Sequence, residues 1–350
     1  MARGRKPMIK KIEEALCFDD VLLRPNHFRG KSRSRIDLGT KIAGLTLELP
    51  IISSNMPTIA SLEMALVMNA CGGMAILDRM SEDQAIRIGK FRARKPKGLI
   101  GASIGIGKSA LDDAKRLVEA GANLICIDIA HGDQPRTYQV AQQFRKAFPT
   151  HPLMIGNFAY PDEASEWFRD LDASPEHTVF KLGVGSGAVC TTRIQTGCGL
   201  PTFQSILDFQ EHSPGISVIA DGGIKNSGDI VKSLAAGASA VMIGSLLAGT
   251  NEALGEFVEL EGATYKRYRG NASEYTKRAA SMKHKHIEGV ETFVLGVGGA
   301  GAVISGLEDG IRSGFSYCGA ENLDELQCRS VFYKTSSSGH HESKPHATFR

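Results

Sequence analysis

"SALDDAKRLVEAGANLICIDIAHG", residues Ser109–Gly132, holds one full beat of this chain. Its first half spaces apolar residues three and four apart, as an amphipathic helix requires, and its second half is an apolar run of strand length. LICIDI is apolar at successive positions rather than alternate ones, which suits a parallel strand covered by helices. Working outward, the same pair recurs. Strand-like runs appear in LPIISSNM, GGMAILDR, GLIGASIG, PLMIGNFA, TVFKLGVG, SVIADGG and AVMIGSLLAG, and helical spacing in QPRTYQVAQQFRKAF and SGDIVKSLAAGA. Eight strands are thus read between about Leu49 and Gly249, roughly twenty-five residues apart. Eight β/α units fit a closed TIM barrel, a (β/α)8 fold, better than an open doubly wound sheet. No Pro-, Ser- or Gly-rich break divides that span. The expectation is a single α/β domain over 1–350, with its core over about 49–320, a short flap over about 270–292 after the last strand, and an extended, flexible tail over about 335–350.

Bulk composition narrows the function. Charged residues make up 23% and apolar residues 42% of 350 positions, an ordinary soluble mixture. A net charge of +3, with no basic stripe interleaved with aromatics, gives no nucleic-acid surface. The basic start MARGRKPMIKK is not followed by an apolar core, so it is read as a frayed terminus rather than a secretion signal. The longest apolar stretch, near Ala240–Ala248, is too short to span a bilayer, so no membrane partner is expected. Seven cysteines without a CxxC pair suggest neither a disulfide framework nor a zinc site, and the expected setting is the cytoplasm with reduced thiols.

A TIM barrel carries its chemistry in the loops at the carboxyl ends of its strands. Here those loops hold Ser53–Met56, Asp128–His131, Asn157, the glycine-rich Gly183–Cys190 segment, Asp221–Gly223 and Gly244–Ser245. Glycines beside Asp221 and Ser245 would expose backbone N–H groups at helix starts, an arrangement suited to a phosphate. "ASIGIGKS", Ala102–Ser109, nearly spells a phosphate-binding P-loop, but it begins with Ala102 rather than glycine. Lys108 is therefore read as a solvated residue at a helix start. Cys190 differs from Cys126, which lies within an apolar run as a small buried hydrophobe would. It closes the flexible segment GVGSGAV, with hydroxyls at Thr191 and Thr192 directly after it, and reads as a nucleophilic thiol.

Those residues sit in longer strings: FDDVLLRP (Phe18–Pro25), SSNMPT, KLGVGSGAVCTTR, IADGGIKNSGDIVKSLAAGASAVMIGSLLAGT and YKRYRG (Tyr265–Gly270). In them the chain resembles, nearly end to end, the inosine monophosphate dehydrogenase / guanosine monophosphate reductase family. The resemblance implies a (β/α)8 barrel in which a cysteine adds to C2 of a purine nucleotide while a hydride passes between C2 and a nicotinamide. It makes Cys190 the nucleophile, with Thr192 and Glu288 (in HIEGVE) as its catalytic partners. Carbonyls of Gly185, Gly187 and Cys190 would line a potassium site. Ser54, Met56, Gly187, Asp221, Gly223, Gly244, Ser245, Tyr268, Gly270 and Asn271 fall where the nucleotide is held. Asp128, Ala130 and Asn157 fall on the cofactor side. Homotetramers are the common assembly in such a family.

Two features lean toward the reductase branch. GGMAILDR runs through one helix to GLIGASIG, leaving no room for the regulatory insert that most of the dehydrogenases carry. The flap NASEYTKRAASMKHKHI contains no adjacent Arg-Tyr pair, the device that activates water in the dehydrogenases. The expectation is NADPH-dependent conversion of GMP to IMP and ammonia. The alternatives are a dehydrogenase without its regulatory domain, using IMP and NAD, or an inactive purine-nucleotide-binding homologue. Departures from the family pattern are Pro57, Asp78, Ala188, Asn271 and the tail triplet Glu342–Ser343–Lys344.

Overall fold

The computed structural model describes residues 12–161, 175–270, 273, 288–343 and 345. A short strand β1 (Val21–Leu23) and a hairpin, β2 (Thr40–Ile42) with β3 (Leu45–Leu47), precede the barrel. Eight parallel strands follow in chain order: β4 (Ile51–Ser53), β5 (Met74–Leu77), β6 (Ile100–Ile104), β7 (Leu124–Asp128), β8 (Leu153–Phe158), β9 (Thr178–Leu182), β10 (Val218–Asp221) and β11 (Ala240–Ile243). β11 pairs back onto β4 through Val241 and Ile51, which closes the barrel. These are the eight runs the sequence marks out.

The opening stretch shows how one beat is built. Helix Ala110–Glu119 carries Asp112 and Asp113 in its first turn, complementing the positive end of the helix dipole. It buries Ala110, Ala114 and Leu117 along one face. Gly121 ends it in the left-handed region at φ 101°, with Gly121 N–H on Val118 O (2.9 Å) and Ala122 N–H on Leu117 O (3.0 Å). This paired closure satisfies the last carbonyls and turns the chain straight into β7. Gly237 repeats it after helix Ser227–Ala235, at φ 114°, and leads into β11. A side chain at either position would be strained.

The strands sort their residues by alternation. Ile52, Met74, Ile76, Leu124, Cys126, Met154, Val179, Ile219, Ala240 and Met242 fill the barrel interior. Ile42 and Leu47 of the hairpin join that cluster, and Thr40 Oγ1 donates to Ser239 O, so the hairpin plugs the amino end. The opposite strand faces, with residues such as Phe158 and Phe180, pack against the helices in the larger outer core.

Beyond the barrel lies an antiparallel sheet of β12 (Phe257–Leu260), β13 (Ala263–Arg269) and β14 (Glu291–Leu295), which the sequence reading missed. β15 (Phe332–Lys334) pairs with β1 and fastens the two ends of the chain together. The tail departs from the expectation of an extended segment: Ser337–Glu342 is helical, capped by Ser336 Oγ accepting from Gly339 N–H. Among the described residues no helix is long and apolar enough to cross a membrane.

Candidate active site

The loop after β9 begins with a close approach. A Cβ on Gly183, whose φ is 146°, would lie 1.8 Å from Asp221 O, so this position admits only glycine. The loop then closes through Cys190 N–H on Gly187 O (3.0 Å), and a short helix opens at Thr192. Cys190 is part-buried there. Its thiol donates to Thr192 Oγ1 at 3.1 Å, and Thr192 Oγ1 donates to Glu288 Oε2 at 2.7 Å. Glu288 arrives from the far side of the flap and is fixed by backbone pairing. Thr191 N–H donates to Glu288 O (2.9 Å), and Val290 N–H donates to Val189 O (3.0 Å). The result is a thiol–hydroxyl–carboxylate chain able to pass a proton in either direction. Cys126, by contrast, is fully buried, and burial pushes its thiol pKa up.

Ser54, Met56, Gly244 and Tyr268 converge beside this loop. A Cβ on Gly244 would lie 2.9 Å from Ser54 Oγ and 3.2 Å from both Met56 Sδ and Tyr268 Oη. Among the described residues Ser54 Oγ is buried without a hydrogen-bond partner, a hydroxyl available to a ligand. Tyr268 is 3% exposed; burial, with the Asp221 carboxylate adding to it, raises its pKa and keeps the phenol a donor. Gly223, Gly244 and Ser245 line the adjoining recess together with Gly222 and Asp221. Ser245 does begin a helix, but the glycines after Asp221 do not: Ile224, Lys225 and Asn226 intervene before the helix at Ser227. Gly222 and Gly223 instead occupy a loop with φ near 89° and 80°, the left-handed region that favours glycine.

The floor of the cavity is polar. Lys181, 1% exposed, projects inward from β9 between two carboxylates. Its Nζ lies 2.9 Å from Asp128 Oδ1 and 2.6 Å from Asp221 Oδ2, and it donates to Asn157 Oδ1. Burial opposes charge on both Lys181 and Asp128, yet their mutual attraction prevails. The Lys181 pKa is raised, by Asp128 and Asp221 together, while Lys181 and a hydrogen bond from Asn55 hold Asp128 below the ordinary carboxylate range. Asn157 Nδ2 donates to Gly183 O (2.8 Å) and Asp221 Oδ2 (2.9 Å). Its amide is thus committed within the protein, so Asn157 shapes the cavity wall instead of presenting a free amide to a cofactor. Gly156 makes room for the lysine, since a Cβ there would meet Lys181 Cβ at 2.7 Å.

The thiol–hydroxyl–carboxylate chain, Ser54, Met56, Tyr268 and the Lys181 cluster border one cavity of about 330 Å³, within the usual range for a small-ligand site. Gly185, Gly187, Ala130 and Gly270 also line it. Asn271 lies outside the described residues. Arg79 and Met80 border it on the Asp128 side, in a loop shaped by the buried Asp78–Arg87 ion pair (3.1 Å) and by Asp78 Oδ1 accepting from Met80 and Ser81 N–H. Asp128 and Ala130 line the same cavity as the thiol. Of the three carbonyls expected around potassium, that of Gly187 already accepts the Cys190 amide.

The model for the IMP dehydrogenase / GMP reductase domain matches residues 15–346. The chain belongs to the IMP dehydrogenase / GMP reductase family. It is 34% identical over 312 residues to a GMP reductase of Streptococcus agalactiae serotype V, covering 89% of this chain and 92% of that one. It is 28% identical over 476 residues to an inosine-5'-monophosphate dehydrogenase of Nitrosopumilus maritimus, covering 96% and 99% respectively. A solved structure of GMP reductase from Trypanosoma brucei in complex with guanosine 5'-monophosphate matches with a TM-score of 0.86 at 25% identity, covering 97% of this chain and 99% of that one. Members of the family are oxidoreductases that work with nicotinamide cofactors.

Lys181 was missed by sequence reasoning, although a signal was present. It is the charged residue of TVFKLGVG, two positions after the inward-facing Val179, so alternation aims it into the barrel. Asp128 and Asp221 follow Cys126 and Ile219 by the same two-residue step.

Proposed function

We propose that the protein is a GMP reductase, converting GMP, NADPH and two protons into IMP, NADP⁺ and ammonium through a covalent bond from Cys190 to C2 of the purine. The observation that carries this reading is the Cys190–Thr192–Glu288 chain. The bound cofactor supplies the hydride. Cys190 passes its proton by way of Thr192 to Glu288, and the thiolate adds to C2. Thr192, resupplied by Glu288, protonates the departing amine, so the C2–N bond breaks as ammonia leaves. Once C2 has received hydride, its bond to Cys190 Sγ breaks, releasing IMP. Asp221 takes the ribose on Oδ1, since among the described residues both protein bonds to its carboxylate fall on Oδ2. Ser54 and Tyr268 bind beside it, and the N–H groups of Gly222, Gly223 and Ser245 receive the phosphate. Asp128 and Ala130 border the cofactor. The single helix Gln84–Arg94 between β5 and β6 agrees with a family member lacking the regulatory insert. Homotetramer assembly and a cytoplasmic location belong to the same proposal; potassium dependence does not.

A dehydrogenase reading has its own support, in the end-to-end match to the Nitrosopumilus enzyme. Product analysis separates the two. GMP with NADPH should yield IMP and ammonia, while IMP with NAD⁺ should give at best feeble XMP. XMP formed as fast as GMP is reduced would overturn the reductase reading.

Asp221→Asn tests the nucleotide pose. Loss of a charge-assisted contact to the ribose should raise KM for GMP by an amount equivalent to about 1.5–3 kcal/mol. The penalty for a 2′-deoxynucleotide should be smaller in the variant than in the wild type. Equal penalties would mean that Asp221 does not read the sugar.

A further inference from the structure

We propose that Lys181 is a positioning residue whose single ammonium sets both ligand-binding carboxylates, Asp221 at the nucleotide sugar and Asp128 at the cofactor. This rests on the reading above, in which both ligands share the cavity. An ammonium has three N–H donors and no acceptor. Here all three are taken, by Asp128 Oδ1, Asp221 Oδ2 and Asn157 Oδ1. The two carboxylates come from β7 and β10, and β9 stands between them in the barrel order with Lys181 facing inward. Asp221 borders the recess of Gly222 and Gly244 as well as the main cavity, whereas Asp128 borders the main cavity but not that recess. Lys181 is therefore the group that ties the two carboxylates together. Its ammonium fixes one oxygen of each carboxylate, leaving the opposite oxygen of Asp221 to accept a ligand hydroxyl. Without it, two like charges would face each other across the cavity floor with no cation between them.

The predicted signature is a paired loss that can be undone on one side. Lys181→Met should raise KM for both GMP and NADPH, each on the order of tenfold or more, because each carboxylate loses its charge-assisted orientation. kcat should fall less than either KM rises, and the rate of Cys190 alkylation should stay within a few-fold of wild type, showing an intact loop. Adding Asp128→Asn removes the uncompensated like charge. In Lys181→Met/Asp128→Asn the KM for GMP should return toward wild type while that for NADPH stays high. A change in only one KM in the single variant would overturn the proposal. So would failure of the double variant to recover nucleotide binding, or a single variant too unstable to alkylate whose partner variant is no better. If the wild type instead oxidises IMP briskly, the reductase reading fails by itself. The same cycle run with IMP and NAD⁺ then decides the role of Lys181.

Discussion

Cys190→Ala is expected to abolish turnover, a loss on the order of 10⁴-fold or more, while GMP still binds within a few-fold of wild type. The asymmetry follows from how the loop is held. Its shape comes from Gly183, from Cys190 N–H on Gly187 O, and from the pairing of Val189 and Thr191 with the segment at 288–290, all of it backbone. The thiol contributes one side-chain bond, to Thr192, so alanine removes the nucleophile and leaves the scaffold. Binding energy is assigned elsewhere, to Asp221, Ser54, Tyr268 and the glycine N–H groups. Isothermal titration with GMP, set beside a turnover assay, measures both halves. Substantial residual activity in the alanine variant would remove Cys190 from the mechanism. Iodoacetamide labelling offers a second view. Cys198 and Cys328 are more exposed than Cys190, so all three are open to labelling. GMP should protect Cys190 alone. Cys17, whose pKa is raised by burial and by the nearby Asp20 carboxylate, should react slowly.

The barrel and most of the site were legible for the same physical reason: parallel strands covered by helices must be apolar, so every polar or glycine residue at a strand end stands out. Asp128, Asp221, Ser54 and Gly244 were visible in that way. Lys181 escaped because it lies one residue inside an apolar strand, where charge looks like an irregularity until alternation is applied to it. Its meaning also needed three dimensions, since Asp128 and Asp221 are 53 and 40 residues away in sequence. Asn157 borders the cavity, but nothing in the sequence showed that its amide is consumed by Lys181, Gly183 and Asp221. The sheet β12–β14 was illegible for the opposite reason. GEFVELEGATYKRYRG is mixed in polarity, β12 and β14 are largely exposed, and the sheet stands outside the barrel beat. The tail helix Ser337–Glu342 has no buried residue at all, so no hydrophobic period announces it; its sign is the capping serine alone. The near-P-loop at Ala102–Ser109 is a useful contrast. Lys108 is exposed ahead of the helix at Ala110, and the segment forms no part of the cavity.

Glu288→Gln is expected to separate the two halves of the proposed reaction. Reduction of GMP must expel ammonia from C2, and an amine leaves C2 readily only after it has been protonated. Thr192 Oγ1 can hand over its proton only if it is resupplied, and it donates to Glu288 Oε2 at 2.7 Å. A glutamine oxygen at that position still accepts the threonine hydroxyl, so the geometry survives, but it cannot carry the proton. General acid–base help of this kind is worth roughly 10²–10⁴-fold, and GMP reduction should fall by about that factor. Hydride exchange between IMP and the cofactor needs the same thiolate but no departing amine. Both reactions are assayed at one pH, so that any change in forming the thiolate they share falls on the two rates alike. Under those conditions exchange should lose much less than reduction. The measurement is the ratio of the two rates in the variant, compared with the ratio in the wild type, and the expected change is a factor on the order of 10². An equal fall in both rates would place Glu288 in thiol activation or in binding and leave the ammonia step without its proton source. A fall in exchange alone would reverse the assignment.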